Sequence, residues 1–318
     1  MGERIVARYD TQAAVNFRKS LTVAVMDPAM SATGIIAIVI AAAVIGSAGG
    51  ELRTTALLSA WYWTLTAALF WLATGIGTGI SSGSSSLGEL LWFATALLSL
   101  CPPIAVLGAR RPGAGPWTWF VLIPLLAVLG WPALTVWSPG TPLRAPQWEG
   151  PQLIGCGLVL CMGAGNYMGT KFWPSACLYA AAVCLMVAPL SSPAPDWLSP
   201  RAGRTVAACL IGSAAVLAYW TRSFGPQNDP ALDRLWRGYR NTFGIVWARR
   251  LQDRLNAAAQ QQQWPVRATP TGFDWDADVP PEIRLETTAQ IEQSLRWMLR
   301  RFVTVEWIDQ RLGGTRSR

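Results

Sequence analysis

The chain has 318 residues, of which 52% are hydrophobic and only 14% are charged, and it contains 18 tryptophans and no histidine. A soluble protein of this length normally has about 25% charged residues, so the composition argues against an ordinary water-soluble globular fold. The absence of histidine argues against haem b ligation, most zinc and copper sites and histidine-based acid–base catalysis, because all of these depend on imidazole.

The charged residues are unevenly distributed along the chain. The first 224 residues contain 19 charged side chains, and the last 94 contain 25. This division predicts an N-terminal tail over residues 1–30, a transmembrane helix bundle over 31–224 and a C-terminal cytoplasmic helical domain over 225–318. The predicted fold class is therefore all-α, a polytopic membrane helix bundle followed by a soluble amphipathic domain of two helices.

The N-terminal tail is not typical of a cleaved secretory signal. It is polar and mixed in charge from Met1 to Met30, before any hydrophobic run begins. Asp10 or Thr11 is positioned to cap a short interfacial helix that ends near Val25. The alternative interpretation of this segment is a flexible tail.

Seven hydrophobic runs are long enough to cross a bilayer, which requires roughly 17 to 25 apolar residues for about 30 Å of hydrocarbon. Tryptophans lie near many of the run ends, where the amphipathic indole prefers the headgroup region. The predicted spans are Ser31–Gly49, Thr54–Ile80, Leu87–Ala109, Pro116–Trp137, Gln152–Thr170, Trp173–Leu190 and Thr205–Phe224.

Seven spans place the two termini on opposite sides of the membrane. With the C-terminus in the cytoplasm, eight basic residues in or near the loops lie inside and three lie outside, as the positive-inside rule favours. The basic N-terminal tail opposes this arrangement, because its four positive residues then lie outside. A re-entrant fifth segment would place both termini inside. We therefore predict an inner or plasma membrane protein with a cytoplasmic C-terminus and leave the side of the N-terminus open.

Two amphipathic helices are predicted in the C-terminal part, from about Pro230 to Gln260 and from about Glu286 to Leu312. Each has one apolar stripe, which must pack against the other helix or against a partner. The candidate partner-binding stripe consists of Leu232, Trp236, Tyr239, Phe243, Trp247, Leu295, Met298 and Phe302.

Polar groups inside the predicted spans are the first candidates for chemistry, because a charge at the bilayer centre costs several kcal/mol. The sequence offers Glu89, Asn166, Tyr167 and Lys171. Each of them lies close to a span end, from which its side chain can also reach the headgroups without any catalytic role.

The segment containing Pro102 and Pro103 is predicted to break the third span, because proline removes a backbone donor and clashes with the preceding turn. Broken helices form binding sites in many transporters when an inverted repeat supplies a matching break. No such repeat is evident in this sequence, so a packing feature is the favoured interpretation of the break.

No catalytic, cofactor-binding or metal-binding residues are predicted. The six cysteines lie singly within apolar runs, where they behave as small hydrophobic side chains. The net charge is +8, but the C-terminal part contributes only +3, and its arginines alternate with acids. We therefore expect the bilayer and a protein partner, and no nucleic acid, as binding partners.

The leading functional hypothesis is a non-catalytic membrane subunit or scaffold whose C-terminal helical hairpin mediates association with a partner or with a second copy. A transporter or permease component is the first alternative, because of the number of spans and the proline break. A membrane-embedded enzyme acting on a lipid-like substrate is the second alternative, and the four polar residues near the span ends are its only candidate actors.

Overall fold

The computed structural model describes residues 32–80, 86–110, 114–136, 146–191, 199–223 and 230–313. The predicted interfacial helix between residues 10 and 25 lies outside them. These parts of the chain are mostly helical. The α-helices are α1 (Ala32–Leu52), α2 (Leu58–Ile80), α3 (Ser86–Ser99), α4 (Cys101–Leu107), α5 (Ala114–Trp117), α6 (Ile123–Val136), α7 (Gly150–Gly165), α8 (Trp173–Val187), α9 (Pro200–Arg222), α10 (Ala231–Phe243), α11 (Ile245–Gln261), α12 (Pro281–Leu299) and α13 (Val305–Leu312).

Five helical segments of the described residues are long and apolar enough to cross a membrane. The prediction of a membrane helix protein is therefore confirmed by length and composition. Two predicted spans are not among the five: α2 has 23 residues but is rich in Trp and Thr, and α7 has only 16 residues. The five segments are Ala32–Leu52, Leu87–Leu107, Gly115–Leu134, Trp173–Leu190 and Pro200–Arg222.

Helices α1, α2 and α3 pack in alternating directions. The indole N–H of Trp61, near the start of α2, donates to the carbonyl of Ile45, near the end of α1, over 2.8 Å. The indole N–H of Trp71 in α2 donates to Ser99 Oγ at the end of α3 over 3.0 Å, and Thr74 bonds Thr95 one turn away. In an apolar environment, such interhelical hydrogen bonds and close packing hold helices together.

Helix α9 runs parallel to α1. Gly212 approaches α1 so closely that a Cβ at this position would lie 2.9 Å from the carbonyl oxygen of Ala37. An ion pair joins Glu51, near the end of α1, to Arg222, at the end of α9. The bundle therefore has two ends: we call the one that contains Arg53 and Arg222 the C-terminal face and the other the opposite face.

The predicted break at Pro102 and Pro103 is present. α3 ends at Ser99, and the two prolines occupy the first turn of α4, where the missing backbone donors are not needed. Pro103 packs against Gly163 of α7, and Cys101 is fully buried. The break is thus filled by a neighbouring helix, in agreement with the packing interpretation.

The C-terminal part differs from the prediction of two long helices. The first predicted helix is divided at Gly244, whose φ of 82° is unfavourable for residues with a Cβ. The predicted linker contains an antiparallel hairpin of β1 (Val266–Ala268) and β2 (Phe273–Trp275). The second predicted helix begins earlier, at Pro281, and is divided after Leu299, because residues 302–304 bond to the α1–α2 turn.

The contact between α7 and α4 leads to a prediction about bundle stability. A Cβ at Gly163 would overlap the ring of Pro103, whereas a Cβ at Gly157 of the same helix meets no atom within 4 Å. We expect Gly163→Ala to lower the free energy of unfolding by about 1–3 kcal/mol, as overpacking does, and Gly157→Ala to leave it nearly unchanged. Thermal unfolding in mild detergent measures the difference. Equal stability of the two variants would contradict the close packing of α4 and α7.

Candidate functional site

The most extensive polar contact between the bundle and the C-terminal helices is centred on Asn166, which follows the end of α7. Its side-chain amide donates to the carbonyl of Phe243 over 3.1 Å and accepts from the backbone N–H of Val246 over 3.0 Å. Its own carbonyl accepts from Ile245 N–H over 2.6 Å. Asn166 is 2% exposed, so these bonds replace water at groups that would otherwise be buried unpaired. We call this contact the first junction.

Gly244 allows the first junction to form. With φ at 82° and ψ at −179°, it adopts a backbone conformation that is essentially restricted to glycine. A Cβ at this position would also overlap the side-chain amide of Asn166. A glycine directly after an amphipathic helix is a common helix stop, and this signal in the sequence could have located the end of α10.

The predicted polar residues Tyr167 and Lys171 lie at the same junction. The hydroxyl of Tyr167 donates to the carbonyl of Thr242 at 3.5 Å, and the backbone N–H of Lys171 donates to Asn241 Oδ1 at 3.4 Å. Lys171 Nζ also donates to the carbonyl of Arg222 over 3.0 Å. These residues therefore connect the α7–α8 turn to α9 and α10.

Backbone carbonyls accept hydrogen bonds from several cations near the first junction. Arg240 donates to the carbonyls of Gly169 and Pro270, and Arg311 donates to the carbonyl of Trp307 while lying 3.6 Å over its ring. Burial lowers the pKa of Lys171, and the charge of Arg311 lowers it further; burial also lowers the pKa of Arg311 to about 10. Several positive charges thus lie close together here, although their burial removes them from water and disfavours the charged form.

A second junction joins the α1–α2 turn to the turn between α12 and α13. The backbone N–H of Ala56 donates to the carbonyl of Phe302 over 2.6 Å, and Thr304 N–H donates to the carbonyl of Thr54 over 2.8 Å. Thr55 and Val303 pair as an antiparallel β-bridge between these bonds. Two separate sets of hydrogen bonds therefore fix the C-terminal helices on the C-terminal face.

The predicted partner-binding stripe lies in the protein's own core, so this assignment needs correction. Its aromatic members pack edge-on against one another, with ring centroids of Tyr239 and Phe302 5.4 Å apart and those of Trp247 and Phe302 5.0 Å apart. Helical periodicity identifies the apolar face correctly, but it does not say which surface covers that face. The buried members are Leu232, Trp236, Tyr239, Phe243, Leu295 and Phe302, and Trp247 and Met298 are half-buried.

Glu89 does not join the other predicted polar residues. It lies at the opposite face, where it forms an ion pair with Arg204 of α9, whose guanidinium lies 5.0 Å from the ring centre of Trp92. The geometry that a membrane enzyme would require, with Glu89 close to Asn166 and Lys171, is therefore not formed. Within the described residues, no group of three or more Cys, Asp or Glu side chains is placed to hold a metal ion.

Comparisons with protein-family models, curated proteins and solved structures gave no match to this chain.

The hydrogen bonds of the first junction predict that replacement of Asn166 loosens the junction more than replacement of Asn241. Asn166→Ala leaves a buried carbonyl and a partly buried N–H without partners, which costs about 1–3 kcal/mol for each fully buried group. We expect faster amide hydrogen exchange across residues 243–247 of the full-length protein in detergent. Asn241→Ala serves as the control, because it removes only one bond of 3.4 Å. Similar exchange rates in the two variants would show that the Asn166 bonds do not hold the junction.

Proposed function

We propose that the protein is a non-catalytic membrane subunit or scaffold, with seven spans and a C-terminal helical unit that binds a protein partner on the cytoplasmic side. The observation that carries this proposal is the pair of junctions, because together they hold residues 230–313 in one orientation on the bundle. A unit fixed in this way presents its outer surface at a constant distance from the membrane.

The course of the chain through the bundle supports seven spans. The backbone N–H of Trp148, just before α7, donates to the carbonyl of Leu190 at the opposite face, whereas Asn166, just after α7, bonds the C-terminal helices. α7 thus connects the two faces although its 16 residues extend only about 24 Å. Crossings by α7, by α2 and by the five more apolar segments add up to seven, the odd number that separates the termini.

The distribution of charge supports a cytoplasmic C-terminal face. Arg53, Arg110, Lys171 and Arg222 lie at or next to span ends on this face. Arg222 is paired with Glu51; at the opposite face, Arg204 is paired with Glu89, and Arg201 lies in the first turn of α9. Among the described residues, the excess of positive charge next to the spans is therefore on the C-terminal face, as the positive-inside rule favours for the cytoplasm of an inner or plasma membrane.

The outer end of α12 provides the surface that we assign to a partner. Its first turns lie about 25 Å along the helix from the second junction. Ile283 and Leu285 are 48% and 75% exposed there, although burial of large apolar side chains is favourable. Five exposed acids lie close to them in sequence and define an acidic tip, which also includes the exposed Arg284: Asp274, Asp276, Asp278, Glu282 and Glu286. The matching partner has a basic surface with an apolar centre.

The contacts give less support to transport or catalysis. The proline break of α4 is filled by Gly163 of α7, so it does not contribute an open site. The polar groups proposed for an enzyme are divided between the two faces, with Glu89 on one and Lys171 on the other. A scaffold requires neither an open path nor a convergent site.

Cysteine labelling tests the seven-span topology. In a variant whose six native cysteines are replaced by alanine, Gln147→Cys and Gln262→Cys place exposed thiols on the opposite face and on the C-terminal part, respectively. Three crossings separate the two positions, so we expect a membrane-impermeant maleimide to label residue 147 in intact cells and residue 262 only in inverted vesicles. Labelling of both residues from the same side would mean that α7 is re-entrant and would contradict the seven-span proposal.

Photo-crosslinking tests the acidic tip as a partner-binding surface. We expect a photoreactive amino acid at Leu285 to give one discrete adduct in membranes, because the exposed apolar side chain lies at the centre of the contact. The same amino acid at Gln260, which is exposed at the end of α11, is the control and should give none. An adduct of twice the chain mass would identify a second copy as the partner. The absence of any adduct at residue 285 would contradict the assignment of this surface.

A further inference from the structure

We propose that four exposed arginines next to the second junction, with the exposed ring of Trp297, bind the headgroups of anionic phospholipids. The arginine patch consists of Arg53, Arg250, Arg300 and Arg301. The inference rests on the membrane placement proposed above. It goes further because it assigns a ligand of defined chemistry to a surface that the scaffold proposal does not use.

The second junction places three of these arginines at the end of a membrane span. Arg53 follows the last residue of α1 and precedes Thr54, whose carbonyl accepts a hydrogen bond from Thr304. Arg300 and Arg301 directly precede Phe302, whose carbonyl accepts from Ala56. The backbone of all three residues is therefore within a few residues of a direct contact between the bundle and the C-terminal helices. Span ends lie at the level of the lipid headgroups.

Arg250 joins the patch through an aromatic contact. Its guanidinium lies 4.9 Å from the ring centre of Trp247, and that ring packs edge-on against Phe302 with centroids 5.0 Å apart. Arg250 on α11 is thus connected to the same turn as Arg300 and Arg301, although about 50 residues separate them in sequence. The fold brings together positive charges from the α1–α2 turn, α11 and the end of α12.

The four arginines share an electrostatic property that other arginines of the C-terminal part lack. Among the described residues, none of the four has a carboxylate within ion-pair distance, and all four are exposed. By contrast, Arg249 pairs with Asp253, and Arg296 pairs with both Glu292 and Asp309. The nearest acids in sequence are Glu51, Asp253 and Glu306, of which Glu51 pairs with Arg222 and Asp253 with Arg249. Unneutralised guanidinium groups attract phosphate and bind it with paired hydrogen bonds.

Trp297 indicates that the occupant is a lipid surface. The indole is 64% exposed, and Arg301, four residues later and just past the end of α12, lies 5.9 Å from its ring centre. A tryptophan beside arginine is well suited to the headgroup region, where the ring meets acyl carbon and the cation meets phosphate. Val305, which is 46% exposed, adds a second apolar side chain next to the second junction. An acidic protein would satisfy the charges but would not explain why the patch lies at a span end.

Lipid binding to purified protein tests the proposal. Native mass spectrometry of the full-length protein in neutral detergent would count bound dioleoylphosphatidylglycerol, with dioleoylphosphatidylcholine as the uncharged comparison. We expect phosphatidylglycerol to bind in preference, and the variant Arg300→Gln/Arg301→Gln to bind it roughly 25-fold more weakly, or about fivefold for each arginine. The variant Arg300→Lys/Arg301→Lys keeps the charge and should retain most of the binding.

Arg284→Gln is the matched control. Arg284 also lies on α12 and 5.0 Å from the ring centre of a tryptophan, Trp275, but at the outer end of the helix. We expect this variant to bind phosphatidylglycerol like the unmodified protein. Thermal unfolding without lipid verifies that all variants are folded, as expected for exposed side chains.

Three results would overturn the proposal: equal binding of the two lipids, an equal loss in the Arg284 control, or full binding by Arg300→Gln/Arg301→Gln. If inorganic phosphate raised the thermal unfolding temperature as much as phosphatidylglycerol does, the patch would be assigned to a free anion instead. The measurement in detergent does not depend on the side of the membrane or on the acidic tip. A failure here is therefore distinguishable from a failure of the labelling and crosslinking experiments.

Discussion

A backbone that leaves the hydrocarbon must hydrogen-bond to water or to protein, and at the α7–α8 turn it bonds to the C-terminal helices. Asn166 supplies both a donor and an acceptor, and Gly244 provides the backbone conformation that lets α10 and α11 meet around it. The aromatic core of the C-terminal part packs beside this contact, and Phe302 extends it to the α1–α2 turn. The position of every C-terminal surface relative to the membrane depends on these bonds.

Polar groups in this protein mainly hold parts of the chain together. Asn166, Tyr167 and Lys171 connect the bundle to the C-terminal helices, and Glu89 ties α3 to α9 through Arg204. Each contact satisfies a group that would be costly to leave unpaired in a poorly hydrated environment. Among the exposed charges, by contrast, acids predominate at the outer end of α12, where Arg284 also lies, and four arginines lie next to the second junction.

Sequence reasoning succeeded for features that depend on local composition. The sixth predicted span matches the segment Trp173–Leu190, because hydropathy and length need no knowledge of neighbours. The division of the C-terminal helices was missed, since the turn after Leu299 depends on a contact with residues about 250 positions away. The ion pair of Glu89 with Arg204 joins residues 115 positions apart, and no spacing in the sequence indicates it. The apolar stripe was identified correctly, but its burial partner depends on the tertiary fold.

The separation of charge along the C-terminal part has a mechanical consequence. In the cytoplasmic placement proposed above, the C-terminal part faces a leaflet whose negative surface potential decays within about 10 Å. That potential attracts the arginine patch, and it repels the acidic tip when tilting brings the tip within this distance of the bilayer. This repulsion resists tilting towards the bilayer, whereas an upright unit keeps the tip about 25 Å from the second junction. Hydrogen bonds at the two junctions fix one end of the C-terminal unit to the bundle. In the proposed placement, the surface potential of the membrane keeps the acidic tip at the other end in the water.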